Sequence, residues 1–428
     1  MLTKDLFRHA TRTLHHSLAE SSLFPSAPLP TGWWSRSISR PVDHAFFFVS
    51  SSLPADPLPF PRAQFVVKTR LFIKHTDIRE FHGPDCIQLA NGDILMAASW
   101  GRPRGDFKQF AAKYPVPQLY RSQDNGRTWR EQGRMKMKWN LPGMISDGGV
   151  SFLRLQDGRL AFLAHRHVSG LHGGGLPAIS FSTDNGQTWT AARLIGDPEG
   201  VWYVMNDRLL QTSRGQLIVP VAHMPKDTGT YEGDKNLGLC FFSHDGGATW
   251  KRSRVPARLD DLRGMQEPCI AEMEDHQLLM LARTGSGSLY ASRSIDDGDT
   301  WSKPRPTTLT SACSSLTLRT LPDRRLIVFY NHASPLRTGA FFPRTPLCYA
   351  VSADQGQSWS APVLLDDEGM AKRDRQNTYP CVCFTKEGML MIWSTEIANP
   401  DGGFGPGNPR IGGGKCAIFA YPTAQPGR

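Results

Sequence analysis

No apolar run in the chain approaches the roughly 18 residues that a membrane-crossing helix needs. The longest candidate, residues 44–53, is short and serine-rich, so no membrane span is expected. There is no block of five or six like charges and no basic helix interleaved with aromatics. Nucleic acid is therefore the weaker partner for the surplus positive charge. The eight cysteines are irregularly spaced and contain no CxxC pair, and Cys381 and Cys383 would share one face of a strand. This argues against a disulfide framework and against cysteine-bound zinc, and favours buried thiols. Neither an Asn-x-Ser/Thr acceptor nor a clear signal peptide is present, which gives a cytoplasmic location slightly more weight than export.

What is present suits a soluble globular protein: 428 residues, of which 39% are hydrophobic and 21% charged. The 40 glycines and 32 prolines point to frequent turns and short strands rather than helices. The net charge is +10, which suits an anionic substrate. Residues 1–64, with eight prolines and ten serines, read as a disordered or linker-like leader. Residues 65–428 carry most of the charge and form the expected folded domain.

Two repeats run through that domain. Ser122-Gln-Asp-Asn-Gly-Arg-Thr-Trp129 recurs at Ser182–Trp189, Ser243–Trp250, Ser294–Trp301 and Ser352–Trp359, giving five copies of S-x-D-x-G-x-[TS]-W. A second pattern, a turn followed by an apolar strand, starts at Gly92, Gly158, Gly215, His276, Arg324 and Gly388. Six units of about 60 residues would each hold a four-stranded antiparallel meander. Such a meander cannot bury its faces alone, and stacking the units radially solves the problem. The expected fold is all-β, a six-bladed β-propeller, with the strand around residues 64–73 joining the last blade near residues 416–421. In the repeated turn, Ser and Asp bond the backbone, Gly takes a positive φ and Trp packs between strands. A calcium loop would need further carboxylates at alternate positions.

The S-x-D-x-G-x-[TS]-W repeat resembles the Asp-box of the sialidase superfamily, whose members are six-bladed propellers. Asp-boxes also occur in non-catalytic proteins, so function rests on individual site residues. In bacterial exo-sialidases three arginines clamp the substrate carboxylate, a Tyr assisted by a Glu is the nucleophile, and an Asp is the acid/base. The resemblance places the Glu at Glu267 and the second arginine at Arg283, 16 residues further on. It places the third arginine at Arg344, eight residues before Ser352, and the nucleophile at Tyr379, nine residues before Gly388. Asp106, on the loop ahead of the first Asp-box, takes the acid/base position. At the first arginine the chain departs from the pattern: Phe81-His82-Gly83-Pro84 stands where the family has Phe-Arg-Ile-Pro. His82 is a neutral donor to substrate, a proton carrier or a core histidine, and Arg79 and Arg102 are candidates for the missing charge. Tyr203, Asn206, Asp207 and Arg208 precede the third unit's inner strand, where a ligand in the central channel would sit. A rigidifying Asp–Arg ion pair is the other reading of these residues.

The resemblance implies a retaining exo-glycosidase that removes a terminal acidic sugar, with a sialylated or other acidic glycan as partner and no cofactor or metal. A carboxylate nucleophile would be repelled by the sugar's own carboxylate, whereas a neutral phenol is not. With a pKa near 10 the phenol needs a base, the role implied for Glu267. Arg283 and Arg344 would hold the carboxylate through bidentate bonds that lysine cannot match. Two alternatives stand beside this: a propeller that binds acidic glycans without cleaving them, and a glycosidase or lyase acting on uronic-acid sugars.

Overall fold

A computed structural model of the chain describes residues 67–71, 81–100, 116–138, 144–167, 175–196, 201–224, 235–260, 263–332, 344–369, 375–397 and 412–419. The leader, residues 1–64, lies outside them. Apart from one 3-10 turn at Glu274–His276, the regular structure among the described residues is all β.

Strand β1 (Val67–Leu71) comes first. Then β2 (Phe81–Gln88), β3 (Ile94–Trp100), β4 (Gln118–Ser122) and β5 (Arg130–Arg134) form an antiparallel meander. The next meander is β6 (Met144–Arg154), β7 (Leu160–His167), β8 (Gly175–Ser182) and the short β9 (Arg193–Leu194). After it, β10 (Val201–Tyr203) and β11 (Leu210–Gln211) both pair with β12 (Leu217–Met224), followed by β13 (Leu237–Ser243) and β14 (Lys251–Arg252). A single pairing of Trp202 with Gly175 joins β10 to β8, so these nine strands count as one sheet. Two further four-stranded meanders are β15 (Gln266–Glu272), β16 (Leu278–Arg283), β17 (Ser288–Ser294), β18 (Arg305–Thr310) and β19 (Thr317–Thr320), β20 (Leu326–Asn331), β21 (Leu347–Ser352), β22 (Val363–Asp366). Last come β23 (Arg375–Thr385), β24 (Gly388–Ile397) and β25 (Gly412–Phe419), and β1 completes this sheet by pairing Val67 with Ile418 and Leu71 with Gly414.

Burial explains the composition of the strands. Second strands such as Leu278–Arg283 and Leu326–Asn331 are buried along their whole length, so they read as continuous apolar runs rather than alternating ones. The outer strand Arg130–Arg134 is exposed throughout and carries charge instead. Among the described residues six large apolar clusters make up the core, each shared between neighbouring meanders. Leu95 packs with Phe162, Leu163 with Phe241, and Cys240 with Met280. Leu281 packs with Val328, Phe329 with Trp393, and Ile392 with Met96. All eight cysteines are free thiols; seven are buried and Cys313 is half-buried.

The five repeated turns link third strands to fourth strands. In each, the serine hydroxyl accepts the glycine amide at 2.7 to 2.9 Å and donates to the aspartate at 2.7 to 2.8 Å. The aspartate also accepts from the backbone amide and hydroxyl of the residue before the tryptophan. The glycine is required twice over at Gly247. Its φ is +89°, and a Cβ there would stand 2.6 Å from the Phe181 ring of the preceding meander.

Candidate active site

Three first strands share one irregularity. In β15 the pairing with β16 skips Glu267-Pro268, in β23 the pairing with β24 skips Tyr379-Pro380, and in β2 the pairing with β3 skips Gly83-Pro84. Proline has no N–H to give the ladder, so each strand bulges there. The residue before each proline takes a left-handed backbone: φ is +47° at Glu267, +52° at Tyr379 and +49° at Gly83. Only glycine adopts this without cost. For Glu267 and Tyr379 the conformation costs about 1–3 kcal/mol each.

These bulges bring four of the expected residues together, all of them buried. Glu267 Oε1 accepts from Arg283 Nη2 at 2.6 Å, and Arg283 Nη1 donates to the Cys313 carbonyl at 3.0 Å. Arg283 stands at the end of β16 opposite Gln266, which carries its guanidinium onto the Glu267 bulge. Arg344 Nη1 donates to the Tyr379 hydroxyl at 3.4 Å, with its guanidinium 5.6 Å from the ring centre. The Arg344 backbone is pinned in turn: its carbonyl accepts from Asn377 N at 3.0 Å and Asn331 Nδ2 at 2.9 Å.

The electrostatics ties the four into one unit. Burial raises the pKa of the Tyr379 phenol, the charges of Glu267 and Glu396 raise it further, and Arg344 and Arg283 act against them. Burial disfavours the Arg344 cation, but Tyr379, Glu396 and Glu267 outweigh that and raise its pKa. Glu396, on β24, is a buried carboxylate that belongs to no motif in the sequence. Its sequence signal is a charge near the end of a strand that is apolar from Met389 to Trp393.

Asn206 and Arg208 are fully buried and donate to backbone carbonyls of this unit's bulges. Asn206 Nδ2 donates to the carbonyls of Pro84, Tyr379 and Pro380 at 2.9, 3.3 and 3.1 Å. Arg208 donates to the Asn206 carbonyl at 2.7 Å, the Glu267 carbonyl at 3.3 Å and Ser315 Oγ at 3.2 Å. Between them Asp207 pairs with Arg319 and accepts from Val382 N at 3.2 Å. Gly149 presses on this segment so closely that a Cβ would lie 2.5 Å from Asn206 N. His82 is a β2 residue paired with Ser99, but its side chain lies outside the described residues, as do Asp106, Arg79 and Arg102. Among the described residues no group of His, Cys, Asp and Glu could hold a metal ion, and no helix is long and apolar enough to cross a membrane.

A family model described as a BNR repeat-like domain matches residues 152–392, more than half of the chain. The chain belongs to the BNR repeat-like family. No curated protein matches this BNR repeat-like chain, but many solved structures do. A protein of unknown function from Dyadobacter fermentans superposes with a TM-score of 0.60 at 17% identity, covering 84% of this chain and 100% of its own. A Hadza microbial sialidase does so at 0.56 and 19%, covering 74% and 64%. The Trypanosoma rangeli sialidase in complex with the inhibitor DANA gives 0.57 and 15%, covering 82% and 59%. The chain thus spans under two thirds of either sialidase, and at these identities the likeness is one of fold.

Proposed function

We propose that residues 65–428 form a six-bladed propeller and that the protein is a retaining exo-glycosidase of sialidase type. The six apolar clusters support the blade count, because each of six meanders shares one cluster with the meander before it and one with the meander after. The sialidase-like fold neighbours support the class. One observation carries the activity: a buried tyrosine hydroxyl faces an arginine, with a buried carboxylate close enough for its charge to act on the phenol.

In the proposed reaction the substrate carboxylate lies against Arg283 and Arg344, whose positive charge offsets the cost of burying an anion. The Tyr379 oxygen attacks the anomeric carbon as Glu267 takes the phenolic proton, and Asp106 protonates the departing glycosidic oxygen. Asp106 then takes a proton from water, which attacks the same carbon while the departing Tyr379 oxygen takes its proton back from Glu267, so the configuration is retained. Burial makes this phenol harder to ionise than a free one, which is why the step needs a neighbouring base. His82 at the first clamp position favours a second reading, in which the sugar is a uronic acid.

The test is release of 4-methylumbelliferone from its sialoside and, in parallel, from a uronide. Wild-type protein is expected to turn over one of them. Tyr379→Phe should abolish that turnover, and Glu267→Gln should lower it by about 10²–10⁴-fold. Full activity in Tyr379→Phe rejects the nucleophile. Saturable binding of sialyllactose without turnover at any pH would make the protein a glycan-binding propeller instead.

A further inference from the structure

Glu267 and Tyr379 share a difficulty that neither can solve alone. Each sits where the strand ladder skips two residues and each holds a left-handed backbone that its side chain disfavours. A bulge also leaves peptide groups without their ladder partners, and a buried carbonyl needs a donor from elsewhere. For both residues the donors come from one short segment. Arg208 supplies the Glu267 carbonyl, and Asn206 supplies the carbonyls of Tyr379 and Pro380. The two donors are themselves joined, because Arg208 Nη1 also bonds the Asn206 carbonyl.

We infer that Asn206 and Arg208 are positioning residues, which lock the backbones of Glu267 and Tyr379 to one another and so set the distance between base and nucleophile. Neither side chain reaches the reacting atoms. Asn206 can serve two bulges because its amide carries two N–H donors, and Arg208 can serve Glu267, Ser315 and its own segment because its fork carries five. The Ser315 hydroxyl, 3.2 Å from Nη2, steadies the fork. The close approach of Gly149 leaves the segment little room to move.

This inference rests on the Tyr379–Glu267 reading, and its test separates the two. The full-length chain is made with 3-fluorotyrosine, and the Tyr379 resonance, one of nine tyrosines, is identified by its loss in Tyr379→Phe. Asn206→Ser and Arg208→Lys are then compared with wild type by ¹⁹F spectrum and by kcat and KM on whichever glycoside the wild type cleaves. A displacement of about 1 Å between reacting groups costs roughly a hundredfold. We therefore expect kcat to fall about 10- to 100-fold with KM changed less than about threefold, as for an interaction felt only in the transition state. The Tyr379 resonance should shift or split while the other tyrosines keep their positions. Unchanged kcat and an unchanged Tyr379 resonance in a folded variant overturn the inference. A wild type that cleaves no acidic glycoside overturns the activity, while the ¹⁹F shift still decides the positioning. If neither variant folds, Ser315→Ala decides: it removes one hydroxyl from the Arg208 fork and should move kcat and the Tyr379 signal in the same direction by a smaller amount. No movement of either in Ser315→Ala also overturns the inference.

Discussion

A carboxylate as buried as Glu267 has lost its water and must be compensated inside the protein. Arg283 provides much of that compensation through a 2.6 Å ion pair. Arg283→Met removes this ion pair from a buried carboxylate and should cost about 3–5 kcal/mol, read as a lower urea midpoint. Adding Glu267→Gln removes the stranded charge and should restore part of the loss, so the double variant will be less destabilised than the sum of the two singles. Strictly additive losses would show that the two side chains do not depend on each other. Both residues were marked in the sequence by the resemblance and the 16-residue interval between them, but that they pair with each other was not. Glu396 was not, since a lone carboxylate near the end of a strand has no spacing to mark it. What surrounds Glu396 comes from elements remote in sequence, among them Arg344 and Tyr379. Asn206 and Arg208 were legible as residues near the site, but the carbonyls they face belong to bulges that exist only once the strands pair.

Turns and bulges show the same contrast among elements. The five S-x-D-x-G-x-[TS]-W turns could be read directly, because their bonds run within eight residues. At Asp184, desolvation is the largest single influence and opposes the charge. The bonds from the Thr188 hydroxyl and amide and the Ser182 hydroxyl outweigh it and hold the carboxyl at about 2. Because this pKa lies below its unfolded value, the turn's stabilisation is present above about pH 4 and lost as pH falls toward 2. Asp184→Asn should therefore flatten the acid limb of a urea-midpoint profile below pH 4. Ser182→Ala, which leaves the Gly186 amide without its acceptor and removes one donor to Asp184, should cost about 1 kcal/mol above pH 4. An acid limb as steep in Asp184→Asn as in wild type would put the acid sensitivity elsewhere. The bulges were less legible. Gly83-Pro84, Glu267-Pro268 and Tyr379-Pro380 are visible as residue pairs, yet a positive φ at Glu267 and Tyr379 depends on which residues the partner strand leaves unpaired. The single Trp202–Gly175 pairing that merges two meanders into one sheet has no local signal either.

Across the whole molecule the periodic apolar runs were enough to foresee antiparallel meanders, while the polar layer between them was not foreseen. Asp85 belongs to that layer: its carboxylate accepts from Cys86 N at 2.8 Å and, across to the next meander, from Phe152 N at 2.6 Å. Burial pushes its pKa up to about 7, although the two amides, Arg319 and Arg208 favour the charged form. A carboxyl raised in this way stabilises the fold fully below its unfolded pKa near 4. That contribution is lost as pH rises to 7, after which the profile is flat. Asp85→Asn should remove this slope, so its urea midpoint will change less between pH 4.5 and 7.5 than that of wild type. A slope identical to wild type would mean that Asp85 is ionised throughout that range.

The pairing of β1 with β25 has a consequence in time. The ribosome makes Val67–Leu71 before every other described strand and Gly412–Phe419 after all of them, yet the two lie side by side. While the intervening meanders are being synthesised and packed, the edge of β1 has nothing to bond. Such an edge is open to pairing with another nascent chain. The last sheet, and the apolar clusters to which Cys416, Ala417, Ile418 and Phe419 belong, can therefore be completed only after β25 has been made.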